Sequence, residues 1–100
     1  MQTTSTETTT EQTGPRITVT ARLFALYREA AGQDRVQVAV PAGTTMRSLW
    51  PYLVAAVPRL QRVSEATAST AYAVNDTWAK GDQALQDGDE VAFLPPVSGG

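Results

Sequence analysis

The side chains of this sequence offer few groups that could do chemistry, and their scarcity points to where chemistry could sit. The 100 residues include no Cys and no His. Thiol nucleophiles, disulfides, thiolate metal sites and imidazole bases are therefore excluded. A zinc site would have to be built from carboxylates alone, against the metal's preference for nitrogen and sulfur. Asp82, Asp87, Asp89 and Glu90 cluster, but among turn-forming residues, where Asp serves the local backbone and solvent. No P-loop and no G-x-G-x-x-G between strand and helix is present. The single lysine, Lys80, falls in a turn far along the sequence from the chain's end. One candidate reactive group is left, the terminal carboxylate of Gly100.

The residues before that carboxylate suit its presentation. The chain closes on Pro95-Pro96-Val97-Ser98-Gly99-Gly100. Neither proline can donate to a ladder, so the two stop a strand and stiffen its exit. Gly99 and Gly100 lack a Cβ, so they pass through a narrow channel in any backbone conformation. A terminal carboxylate on such a tail can reach into another protein's active site. A carboxylate is a poor electrophile, however, and no nucleotide-binding motif is present, so a reaction at that carbon would need activation by a partner.

The elements that must position the tail are legible from periodicity. Ile17, Val19, Ala21 and Leu23 alternate with polar residues, as in a half-buried strand. Leu23 is followed by Phe24 on the outward side of that alternation. Ala25 to Ala31 fits a short helical turn ended by Gly32. Val36, Val38 and Val40 mark a second strand, near enough to pair with the first. Thr44 or Thr45 caps a helix whose apolar stripe is Met46, Leu49, Leu53, Ala56, Val57 and Leu60. Pro51 requires that helix to kink or to begin irregularly, since an interior proline costs about 3 kcal/mol. Pro58 ends it or starts a looser turn, and Ser64 to Ser69 reads as loop. Short strands come next at Ala71 to Val74 and Thr77 to Ala79, with a turn at Asn75-Asp76, and the last runs from Glu90 to Leu94.

Strand, strand, helix and returning strands describe an α+β β-grasp, a mixed sheet with one main helix across it. Residues 16–96 form this domain. Residues 1–15 are Thr- and Gln-rich, too apolar-poor to order themselves, and read as a disordered extension. Residues 97–100 are the flexible tail. The formal net charge of -2 argues against nucleic acid, and no polybasic block suggests a membrane surface. No apolar run is long enough to cross a bilayer, and the N-terminus lacks a signal-peptide pattern. The expected location is the cytoplasm.

The run "LQDGDEVAFLPPVSGG", Leu85 to Gly100, closely resembles the C-terminus of the MoaD family, the sulfur-carrying small subunits of molybdopterin synthase. "ARLFALYREAAG", Ala21 to Gly32, and "AVN", Ala73 to Asn75, resemble the family's opening and middle strands, so the likeness spans Ile17 to Gly100. Pro51 departs from the usual pattern of the helix. The resemblance implies a ubiquitin-like fold and a sulfur carrier for molybdenum cofactor biosynthesis. A MoeB-like adenylating enzyme would use ATP to adenylate the carboxylate of Gly100. A sulfur donor would convert it to a thiocarboxylate, and the loaded tail would enter a MoaE-like large subunit. The resemblance also implies a heterotetramer with a dimer of large subunits, no cofactor bound by this chain, and no catalysis by it alone.

Three residues form a candidate docking face. Phe24 and Leu94 fall on the outward side of their strands, and Trp78 lies on a short strand beside a turn; exposed apolar groups of this size are candidate contacts. The resemblance places them, with Arg28, on the family's partner surface. Three other readings stay open: sulfur delivery to thiazole, cysteine or tRNA; a ubiquitin-like modifier joined through Gly100 to lysines; and an interaction domain with an irrelevant tail.

Overall fold

A computed structural model describes residues 14–96. Residues 1–13 of the Thr-rich stretch 1–15, and Val97, Ser98, Gly99 and Gly100, fall outside the described residues, with the expectations drawn for them.

The alternating pattern forms β1 over Arg16–Leu23 and β2 over Arg35–Pro41, paired antiparallel with Val19 opposite Val38. Val19, Ala21, Leu23, Val36, Val38 and Val40 bury one face, and Thr18 and Arg35 stay on the other. Between them runs α1, Leu26–Ala31. It starts abruptly because Ala25 takes a left-handed φ of 51°, turning the chain off the sheet directly after Phe24. It stops at Gly32, whose φ of 76° suits a residue without a Cβ and whose N–H donates to the Arg28 carbonyl at 2.9 Å.

The middle of the chain departs from a single helix. A 3-10 turn at Arg47–Leu49 leads into α2, Trp50–Ala56, and a 3-10 stretch covers Pro58–Ser69. Pro51 lies in the first turn of α2, where its missing N–H has no partner to lose, so the irregular start is how the chain accommodates it. Thr45 does cap: its Oγ1 accepts the Ser48 N–H at 3.2 Å while Ser48 Oγ accepts the Thr45 N–H at 2.8 Å. Met46, Leu49, Leu53, Val57 and Leu60 are buried as the stripe requires. Ala56 is exposed instead, because α2 ends there and Val57, at φ −134°, resets the phase. The segment read as loop, Ser64 to Ser69, is 3-10 backbone. Its hydroxyls hold local carbonyls: Thr67 Oγ1 donates to Ser64 at 2.7 Å and Thr70 Oγ1 to Ala66 at 2.8 Å.

The remaining strands are β3, Ala71–Val74, β4, Thr77–Ala79, and β5, Glu90–Leu94. The sheet order is β2-β1-β5-β3-β4. β5 runs parallel to β1 and antiparallel to β3, so the last strand occupies the centre of a mixed β-grasp sheet. The helical segments cover one face. There Phe93 sits among three aromatic rings, Tyr27, Trp50 and Tyr72, at centroid distances of 6.0, 5.7 and 5.6 Å. Tyr27 is fully buried, and its hydroxyl is hydrogen-bonded to that of Thr70. Among the described residues no helix is long and apolar enough to cross a membrane.

Candidate functional site

The other face of the sheet has no helical cover, and the strand period decides what it presents. In β5, Val91 and Phe93 point into the core, so Ala92 and Leu94 point away from it. Ala92 stands in register with Arg22 of β1 on one side and Ala73 of β3 on the other, and Ala73 faces Trp78 of β4. A row Arg22, Ala92, Ala73, Trp78 therefore crosses four strands, two short side chains between two long ones.

The result is an open hollow of about 270 Å³. Phe24, Trp78 and Leu94 line it together with the two alanines, so the two residues that the alternation placed outward converge with Trp78 of the short strand. Trp78 is 72% exposed, an unusual state for an indole unless something else covers it. Phe24 and Leu94 are half-buried. The Arg22 guanidinium carbon lies 5.4 Å from the centroid of the Phe24 ring, a cation–π distance that holds both groups at the edge. Arg28 is not part of this arrangement. It is an exposed residue of α1, outside the lining.

Two acidic residues border the hollow, Asp76 and Glu90. Glu90 is bonded to Arg35 at 2.9 Å, in a partly exposed pair of small energetic weight. Asp76 sits in the β3–β4 turn at φ 69°, next to Asn75 at φ 50°. Arg22, Ala73, Asp76 and Ala92 join the site only in the folded chain. Parity along β1 and β5 points Arg22 and Ala92 outward; only the cross-strand register adds Ala73, and no linear motif marks any of them.

The hollow lies beside the last described residues of the chain. Leu94 is both a lining residue and the end of β5, and it is followed by the half-buried Pro95 and the exposed Pro96.

The model of the ThiS family matches residues 21–100, from the second half of β1 to the end of the chain. The chain belongs to the ThiS family. Its similarity to the molybdopterin synthase sulfur carrier subunit of Escherichia coli is 42% identity over 77 residues, covering 77% of this chain and 93% of that protein. The protein of the same description in Mycobacterium tuberculosis is 39% identical over 89 residues, covering 84% and 99%. Among solved structures, SAMP1 from Haloferax volcanii superposes with a TM-score of 0.72 at 32% identity, over 83% of this chain and 99% of that one. The ThiS-family assignment and these relatives agree with the MoaD resemblance and with the β-grasp read from the order of the elements.

Proposed function

We propose that this ThiS-family chain is the sulfur carrier of a molybdopterin synthase. In this reading the carboxylate of Gly100 attacks the α-phosphorus of ATP in an activating enzyme, releasing pyrophosphate and leaving an acyl-adenylate. Sulfide-level sulfur, as hydrosulfide, then attacks the acyl carbon and displaces AMP, leaving a thiocarboxylate and releasing a proton. The loaded tail enters a large synthase subunit, where the sulfur passes to the pterin precursor. The observation that carries the reading is the hollow lined by Phe24, Trp78 and Leu94 where β5 ends, in a chain similar to sulfur carrier subunits over most of its length. The chain's own work is binding and presentation: the outer face docks, and β5 fixes where the tail begins. Bases and nucleotide contacts belong to the partners, which agrees with a chain that has neither His nor Cys.

Intact-mass measurement after incubation with an activating enzyme, ATP and a sulfur source tests this. The expected result is the increase for one oxygen replaced by sulfur, abolished by deleting Gly100. An unchanged mass despite ATP turnover, or full biological activity from a chain with a blocked C-terminus, overturns it.

The likeness to SAMP1, a solved small archaeal modifier protein, favours one second reading: attachment through Gly100 to lysines of other proteins. Higher-mass conjugates in lysate that vanish on deletion of Gly100 would establish it.

A further inference from the structure

The floor of the hollow has an unusual composition for a sheet. Paired central positions on a strand face are ordinarily filled by β-branched or aromatic residues, which pack against each other across the ladder. Here Ala73 and Ala92 face each other, flanked by Trp78 and Arg22. The walls rise on either side of a floor one methyl deep. The volume, about 270 Å³, exceeds the ~150 Å³ that houses a benzene-sized group in an apolar protein cavity.

The charges around it are unequal in their engagement. Arg22 lies over the Phe24 ring, and Glu90 is held by Arg35. Among the described residues, the Asp76 carboxylate makes no ion pair and no hydrogen bond. Its place is set by a left-handed turn rather than by a partner.

We propose that the hollow is a socket for one bulky apolar side chain of a protein partner, carried on a surface that also brings a Lys or Arg to Asp76. The proposal rests on the reading of the outer face as the partner surface, and it adds the chemistry of what docks there. Ala73 and Ala92 then determine specificity by their smallness. A flat partner surface would leave the socket empty and lose the dispersion contacts of its whole lining. A partner without the cation would desolvate Asp76 while giving it no charge-assisted bond of its own, since Arg22 in the same lining lies over the Phe24 ring.

Calorimetric titration against a purified large subunit of molybdopterin synthase tests the socket. Ala92→Leu places a butyl group in the hollow without touching the core; the expected loss of affinity is about tenfold or more at an unchanged melting temperature. Ala73→Ile, suited to a strand, does the same from the neighbouring position. Asp76→Asn keeps a residue that tolerates the turn; the expected effect is about threefold weaker binding and a shallower salt dependence. In the unmutated complex, saturation transferred from the partner should reach the Ala73 and Ala92 methyl groups. Binding within ~twofold of the original by both filled variants, or methyl groups left unsaturated, overturns the socket. Original affinity and salt dependence in Asp76→Asn overturn the cationic neighbour. Phe24→Ala separates the two levels. If it binds normally, the partner-surface reading fails; if it binds weakly while the filled variants bind normally, only the socket fails.

Discussion

Asn75 grips Glu90 through both its backbone and its side chain. Its N–H donates to the Glu90 carbonyl at 2.7 Å, and its Oδ1 accepts the Glu90 N–H at 2.9 Å. Its Nδ2 also donates to Asp89 Oδ1 at 2.9 Å. One residue thus ties the β3–β4 turn, which leads to Trp78, to the first residue of the strand that ends at the tail. Asn suits the place because it tolerates the left-handed backbone that the turn needs. Replacement by Ala removes two side-chain bonds and leaves a Cβ at φ 50°, an expected loss of about 2–3 kcal/mol. Asn75→Gly relieves the backbone and loses only the bonds, an expected ~1–2 kcal/mol. Urea midpoints should rank the original first, then Gly, then Ala; equal midpoints for the two variants would show that backbone strain at the turn is negligible.

Trp78 is expected to matter for binding and hardly at all for folding. An indole this exposed contributes little to the core, so Trp78→Ala should shift stability by no more than ~0.5 kcal/mol. Affinity for the large subunit should fall by about 2 kcal/mol or more if the indole is covered on docking. Paired denaturation and titration experiments check both numbers, and a large stability loss with intact binding would reverse the assignment.

Tyr27 predicts an alkaline limb. Burial raises the pKa of its phenol above the ordinary value of 10.0, an effect the hydrogen bond with Thr70 reduces but does not cancel. The unfolded chain therefore releases this proton before the folded one does. Stability that is complete below pH 10 is lost as pH rises from the unfolded value through the folded one. Tyr27→Phe should flatten that part of the stability profile while lowering stability at neutral pH by about 1 kcal/mol for the lost hydrogen bond. Melting temperatures at pH 7 and in the alkaline range measure the two effects separately.

Gly32 is fixed by its neighbours as well as by its own φ. A Cβ there would lie 2.8 Å from the Arg59 Nη2 atom, and that same nitrogen donates to the Ala31 carbonyl at 3.0 Å. Gly32→Ala should cost about 1–2 kcal/mol from the left-handed backbone and the displaced cap together. In an Arg59→Ala background the cost should fall to the backbone part alone, which a double-mutant cycle on melting data reports.

How legible each feature is in the sequence depends on how far along the chain it reaches. Val19, Ala21 and Leu23 declare their strand within a few residues, and Val91 and Phe93 do the same, so the sheet's inward face and the outward placing of Phe24 and Leu94 are readable. The middle of the chain is harder. The choice among loop, 3-10 and α between Arg47 and Ser69 turns on whether a carbonyl is met three or four residues on. Ser64, Thr67 and Thr70 look like loop residues until their hydroxyls are seen holding the backbone. Ala73 and Ala92 are invisible as site residues for a different reason. An alanine has no message of its own, and theirs exists only because β3 and β5, separated by the Asn75-Asp76 turn, β4 and the loop before Glu90, come to lie side by side. Arg28 shows the converse: nearness to Phe24 in sequence does not bring it into the hollow, because Ala25 turns the chain away first.

The parallel pairing of β1 with β5 at the centre of the sheet has a mechanical consequence. From Thr20 beside Glu90 to Leu23 beside Phe93 the two strands point the same way. Traction on the last strand, with the body anchored through the first, loads those bonds in shear, all sharing the force. Peeling from an edge would break them singly. Resistance to such a pull is set by the rate of crossing the unfolding barrier rather than by net stability. Leu94, where β5 ends, is thereby held to the middle of the sheet by bonds that must fail together rather than one at a time.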